Sequence, residues 1–400
     1  MTTKISSGFN SANTVDIYSV QIKLRTDEVL ELKDQFVEIE LYRGMFSMGM
    51  TGSIIFNDIL GVVNNGPILG GEEVFLRWKS TTYTEWTELR MRVSMLVAQE
   101  PTNQANSISR LEICSEALYF GRGKELSRGF RGQYSEIASQ LWAETGINVP
   151  FAKDSSLGQT TLVTSTHLDV IETLRWMASR ARTQDNLPFV FFEDFDGLNF
   201  ASMSGILNQA GSVPLVHQPQ TTEEDIRKEW MNILAVQTED NTRDALGFME
   251  SGIGKTREII YRVETKSVEE TQHNFDDVVS GFGLNEGKVS ILGSDKTDAT
   301  DFYIHRSDGS ESNVHERDSI NWLLQYSGKT ICNHGDDRAR LGQVIEVNFY
   351  SPQATSANTI PREQFFSGKY LVTSIKDTIR PNEYRTYRGL SQETLKREVK

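Results

Sequence analysis

Hydrophobic and polar positions alternate through the first 115 residues. Tyr18, Val20, Ile22 and Leu24 alternate with Ser19, Gln21, Lys23 and Arg25. Val37, Ile39 and Leu41 alternate with Glu38 and Glu40, and Leu89, Met91, Val93, Met95 and Val97 are interleaved with Arg90, Arg92 and Ser94. A period of two places one set on a core face and the other on an exposed or interfacial face, which predicts antiparallel strands. Glycines and the run Asn64-Asn65-Gly66-Pro67 punctuate them as turns. Several short strands in one such block predict a small barrel or sandwich, with edges that must be closed or paired with another chain.

The period changes at Gln133. Ile137, Ala138, Leu141 and Trp142 predict a helix stopped at Gly146. A second helix is predicted to start near Thr166, with Thr166 and Asp169 as a capping pair and Ile171, Leu174, Ala178 and Ala181 on one face. Phe189 to Phe192, a turn over Asp196-Gly197, and Leu198 to Phe200 predict a hairpin. Residues 217–229 look like a linker, and Trp230 to Thr238 a strand. Residues 257–279 have charge-rich helical potential, followed by a glycine-rich run at 280–287, a short strand at Val289–Leu292 and a loop at Asp295–Asp301. Ser319 to Tyr326 suits a short helix. Strands are predicted around Val344 to Phe349, Tyr370 to Ile375 and Tyr384 to Leu390.

The predicted class is therefore β-rich α+β. It has two antiparallel β-barrel-like domains, each interrupted or followed by a small α/β domain. The expected divisions are 1–115 for the first β domain and 116–215 for its α/β insert. Residues 216–245 with 316–400 make the second β domain, and 246–315 its insert.

Composition narrows the function. With 41 Lys+Arg against 55 Asp+Glu the net charge is -14. Duplex affinity comes mainly from cations neutralising phosphates, so a dedicated or sequence-specific nucleic-acid binder is not expected. A channel past which DNA slides without sticking remains compatible. The two cysteines, Cys114 and Cys332, form no CxxC and point to a reducing compartment. No apolar run approaches the ~18 residues of a spanning helix, so no membrane insertion is expected. Met1 to Asn13 has no apolar core of a signal peptide.

Candidate chemistry is sparse. Ser251-Gly252-Ile253-Gly254-Lys255-Thr256 ends like a phosphate-binding loop, but Met249 stands where its first glycine is needed. His167, His217, His273, His305, His315 and His334 show no metal-binding spacing. His334-Gly335-Asp336-Asp337 reads as a tight turn. Glu193, Asp194 and Asp196 read as a solvated hairpin tip. Asp295, Asp298 and Asp301 form an acidic loop that departs from a calcium-binding loop, with Thr300 where glycine is required. No catalytic, cofactor-binding or metal-ligating residue is assigned, and no enzyme activity is expected.

Several stretches together resemble a known family. Met45-Phe46, then Thr51-Gly52-Ser53-Ile54-Ile55-Phe56-Asn57-Asp58, Gly66-Pro67-Ile68 and Gly70-Gly71-Glu72 look like the first tube domain of phage baseplate hub proteins. Leu174-Arg175-Trp176-Met177-Ala178 leading into 189–198 resembles their helix-plus-hairpin insert. Trp322-Leu323, 342–347 and 367–372 resemble the second tube domain. The order and length are similar to the central hub of T-even-type contractile tails, which is related to the hub domains of type VI secretion spikes. The resemblance implies a homotrimer whose two tube domains per chain make a pseudo-sixfold ring. That ring joins the sixfold tail tube to a threefold central spike and leaves a channel for DNA. It implies spike and tail tube partners, with tape-measure and baseplate wedge proteins as further ones. The location would be the virion, reached from the host cytoplasm during assembly. The alternatives are the hub of a related injection device and a tail-associated cell-wall hydrolase.

Overall fold

The computed structural model describes residues 14–59, 61, 63, 68–81, 83–101, 107–158, 160–164, 167–184, 187–207, 215–217, 230–238, 255–262, 265–274, 300–306, 315, 318–320, 328–349 and 367–391. The first block holds β1 (Val15–Lys23), β2 (Val29–Glu31), β3 (Phe36–Gly44), β4 (Thr51–Asp58), β5 (Glu73–Ser80), β6 (Thr87–Pro101) and β7 (Ser107–Ser115). Then come α1 (Glu116–Arg122), β8 (Gly129–Gly132), α2 (Tyr134–Thr145), β9 (Phe151–Lys153) and β10 (Thr160–Val163). They are followed by α3 (Val170–Arg180), β11 (Phe189–Asp194), β12 (Gly197–Ser202) and α4 (Met203–Leu207). The remainder holds β13 (Leu215–His217), β14 (Ile233–Thr238), β15 (Lys255–Arg262), β16 (Ser267–Asn274) and β17 (Thr300–Arg306). β18 (Gly328–His334), β19 (Val344–Phe349), β20 (Gly368–Arg380) and β21 (Glu383–Ser391) complete it.

Thirteen strands share one sheet, in the order β14-β18-β21-β20-β3-β4-β7-β6-β5-β1-β2, with β19 on β20 and β13 on β19. Among the described residues the path has two ends and does not close into a barrel. The two expected β blocks are joined edge to edge within this sheet, each around its own hydrophobic core. β3 pairs antiparallel with β20, Ile39 opposite Ile379 and Ser374 opposite Gly44.

The alternation holds where pairing is regular and breaks at bulges. Val20, Ile22 and Leu24 are buried, but Tyr18 is 57% exposed. The register with β5 shifts between Ile17 and Ser19, so an extra residue turns Tyr18 outward. Val37 is likewise turned out by the shift between Phe36 and Glu38. Met95 and Val97 are exposed beyond Val93, where β6 is bulged twice against β7.

The insert follows its helical pattern. In α2, Ile137, Ala138, Leu141 and Trp142 are buried, and Gly146 takes the left-handed φ of 70° that ends the helix without a Cβ penalty. α3 starts later than expected. Its cap is Asp169, which accepts from the Glu172 backbone N–H at 2.8 Å while Glu172 accepts from the Asp169 N–H at 3.4 Å. The capping pair is thus Asp169/Glu172, three residues beyond the one read from sequence, because a carboxylate at each end satisfies both orphan donors. Thr166 lies outside the described residues. Asp169→Ala is expected to cost about 1 kcal/mol, read as a lower midpoint in thermal unfolding.

Helical potential over 257–279 is overturned for its described part. β15 and β16 pair antiparallel, with Arg262 opposite Ser267, and Lys266 before β16 has a φ of 54°. Ile259, Ile260, Tyr261, Val268 and Thr271 favour the pleated surface, and the ion pairs Arg257–Glu270 and Arg262–Glu269 (2.7 Å) couple the two strands. The expected strand at 289–292 and the run 280–287 lie outside the described residues. Of the short helix at Ser319–Tyr326, Ser319 and Ile320 are helical and 321–326 are not described.

A buried charge junction as the candidate functional site

The junction forms where β3 meets β20 and both meet the β11–β12 hairpin. Arg43 sits on β3 with Ile39 and Leu41 on its core-facing side. The sheet pairing sets Asp377 on the neighbouring β20, and the insert brings Asp194 to the end of β11. The Arg43 guanidinium is fully buried between the two carboxylates, paired with Asp194 and, at 2.6 Å, with Asp377. It also donates to the Ala339 carbonyl at 3.0 Å and lies 3.6 Å from the centroid of the Phe195 ring.

Each carboxylate is held from several sides. Asp194 accepts from the Leu341 N–H at 2.7 Å and the Phe195 N–H at 2.8 Å. Asp377 accepts from the Tyr384 hydroxyl at 3.2 Å and the Thr386 hydroxyl at 2.8 Å. Asp336 pairs with the buried Arg388, which also binds Asn333, and accepts from the Tyr83 hydroxyl at 3.2 Å. Asp337 accepts from the Ser80 N–H and the Thr87 hydroxyl of the first block, at 3.3 and 3.2 Å. Burial, with Asp336 adjacent, raises its carboxyl to about 7. Glu193 accepts from the Met50 N–H at 2.9 Å and the Ser115 hydroxyl at 2.5 Å. Ser115 in turn caps α1, accepting from the Leu118 N–H. Burial raises Glu193 to about 7.

The sequence reading of the hairpin tip is overturned here. Glu193 and Asp194 are not a solvated tip. The hairpin turn is the pair Phe195-Asp196, one residue earlier than expected, and Gly197 already pairs with Asp194. The tip is pressed into the seam between the β blocks, so both carboxylates lose water and gain protein donors. Only Asp196 is exposed, and Arg340 at 2.6 Å holds its carboxyl below the usual range. The 334–337 turn is likewise buried, because it docks on β5 and β6 rather than facing solvent.

The remaining candidates stay apart. Lys255 and Thr256 open a strand, where a phosphate loop would open a helix; 251–254 lie outside the described residues. Asp301 stands in β17, and Asp295 and Asp298 are not described. His273 lies 3.1 Å from Glu258 and stacks on His315 at 5.2 Å. Among the described residues no three His, Cys, Asp or Glu side chains are grouped to hold a metal. Cys114 and Cys332 are buried free thiols, and burial beside Glu193 pushes Cys114 up to about 11.

Sequence reasoning passed over Arg43, Asp377 and Arg388. Their signal was present: each falls on the inward phase of a strand otherwise filled by Ile39, Leu41, Ile375, Ile379, Tyr384 and Leu390. A charge on an inward position demands a buried partner.

No protein-family model and no curated protein sequence matches the chain. Solved structures do. The tail protein from Neisseria meningitidis MC58 matches with a TM-score of 0.56 at 10% identity, over 94% of this chain and 96% of that one. The 43 kDa tail protein of prophage MuSo2 from Shewanella oneidensis matches at 0.53 and 9% identity, over 94% of this chain and 98% of that one. The chain has the fold of phage tail proteins. A chain of the Francisella PdpA–VgrG complex shares this tail-protein fold at 0.50 and 8% identity, over 98% of this chain and 61% of that one. In the tail-protein fold of this chain, the buried junction is what fixes the hairpin tip and the second β block against the first.

Proposed function

We propose that the chain is a structural subunit of a phage tail baseplate, working as its central hub. The observation that carries this reading is the likeness to two tail proteins over nearly the full length of all three chains. In this reading three copies assemble head to tail into a pseudo-sixfold ring between the tail tube and a central spike. Residues 1–115 and 216–245 with 316–400 supply its two tube domains, and 116–215 and 246–315 the inserts. Among the described residues the sheet ends at β2, and an edge strand there suits such assembly, since unpaired edges invite a neighbour.

The hub works by shape rather than by chemistry. Its buried carboxylates are held by arginines and backbone donors, which supports a structural and not an enzymatic role. The charges on the sheet's outer side are paired in both signs: Lys376 with Glu40 at 2.5 Å, Arg380 with Glu38 at 2.6 Å, Arg77 with Glu88 at 3.1 Å. Cations so engaged offer little to DNA phosphates, which suits a wall that DNA passes. The fold shared with the PdpA–VgrG complex supports, as a second reading, the hub of a related injection device with a spike partner.

Light scattering on the purified chain, alone and with its cognate spike, tests the assembly. A mass of three subunits in either sample is expected. A monomer in both would sink the hub reading.

A further inference from the structure

Five carboxylates and two guanidiniums are buried at the junction: Glu193, Asp194, Asp336, Asp337 and Asp377 against Arg43 and Arg388. The arginines are spent on Asp194, Asp377 and Asp336. Glu193 and Asp337 face no buried cation. Asp337 Oδ1 has no hydrogen-bond partner at all, although the residue is fully buried. Isolated carboxylates in such a setting escape the desolvation cost by taking up a proton.

We propose that the junction is a proton-loaded clasp: Glu193 and Asp337 are neutral when it is closed, and their ionisation loosens the insert hairpin and the 334–337 turn from the first β block. Glu193 fastens the hairpin to Met50 and Ser115, and Asp337 fastens the turn to Ser80 and Thr87. Both residues thus fasten later elements of the chain to the first β block.

The groups around them set the sign. Glu193 faces Ser115, Met50, the Cys114 thiol and Asp194. The hydrogen bonds from Ser115 and Met50 favour its ionised form, but burial outweighs them. Asp337 faces Asp336 on its own turn, Arg338 at the rim, Ser80 and Thr87 from the first block, and Tyr384 from β21. Burial and Asp336 oppose ionisation; Ser80, Arg338 and Thr87 favour it and lose. Both groups bind protons more tightly folded than unfolded. Their contribution is therefore full below the ordinary carboxylate range, near pH 4, and is lost as pH rises through about 7.

The test is urea unfolding of the full chain at pH 5, 6, 7, 8 and 9, beside Glu193→Gln and Asp337→Asn. The wild-type midpoint is expected to fall from pH 5 to 8, with about half of that fall removed in each variant. Should a variant fail to fold, infrared spectra of the wild type at pH 6 and 9 serve instead. A carbonyl band of buried protonated carboxyls, present at pH 6 and lost at 9, is expected. A wild-type midpoint that is flat or rises, variants that keep the full slope, or the absence of that band would each overturn the clasp.

Discussion

Arg43→Ala is expected to cost about 3–5 kcal/mol, because it strands two buried carboxylates at once. Asp194 and Asp377 lie against the guanidinium and are 3% and 0% exposed, so water cannot take its place. Each acid keeps neutral donors: Leu341 and Phe195 for Asp194, Tyr384 and Thr386 for Asp377. Those bonds orient a charge but do not balance one. The loss is a large share of a domain's typical ~5–15 kcal/mol of stability. It should appear as a lower urea midpoint and as early exposure of the insert to protease. The triple variant Arg43→Met, Asp194→Asn, Asp377→Asn is expected to lose less than Arg43→Ala alone, since no buried charge is left without a partner. If the triple variant were the less stable of the two, ion pairing would not be what the junction contributes.

Gly335→Ala is the second large effect. A Cβ at Gly335 would stand 2.0 Å from the Tyr384 Cγ and 2.1 Å from its Cδ1. The ring cannot retreat, because Tyr384 is completely buried and its hydroxyl is tied to Asp377. The glycine backbone is also fixed, its N–H donating to the Tyr384 carbonyl at 2.8 Å. Overpacking of this kind costs about 1–3 kcal/mol where neighbours can shift, and this contact belongs at or above the upper end. Thermal unfolding should show a clear drop. A control at Gly158, where an added Cβ meets nothing within 4 Å but φ is +80°, separates steric overlap from backbone strain. Equal losses at both sites would refute the overlap account.

Both effects involve features that the sequence discloses unevenly. Strands at Ile39, Leu41, Ile375 and Tyr384 are legible because period two survives wherever the ladder is regular. Tyr18, Val37 and Met95 are misplaced by it, because a bulge shifts the phase and leaves no mark in residue type. The first helix after β7 escaped notice, although Ser115 followed by Glu116 is an ordinary start signal. The hairpin at 189–202 is legible from its aromatic run; its destination is not. Whether Glu193 and Asp194 meet water or Arg43 depends on a residue far away in the chain, and local composition favours water. The merging of the two β blocks is invisible for the same reason. Nothing in β3 or β20 taken separately names the other as its neighbour.

The β3–β20 seam has a consequence for how the chain is made. β3 leaves the ribosome more than 300 residues ahead of β20, from Gly44 to Gly368. At roughly 5–20 residues per second, synthesis leaves that edge of β3 bare for on the order of tens of seconds. The nascent first block must therefore wait as an open-edged sheet, a form prone to pairing with other chains. β3 presents Glu38, Glu40 and Arg43 along its length, so the waiting edge is charged until Lys376, Arg380 and Asp377 arrive to neutralise it. The residues that later lock the two halves together also put charge on that waiting edge, and charge along an edge strand disfavours pairing with other chains.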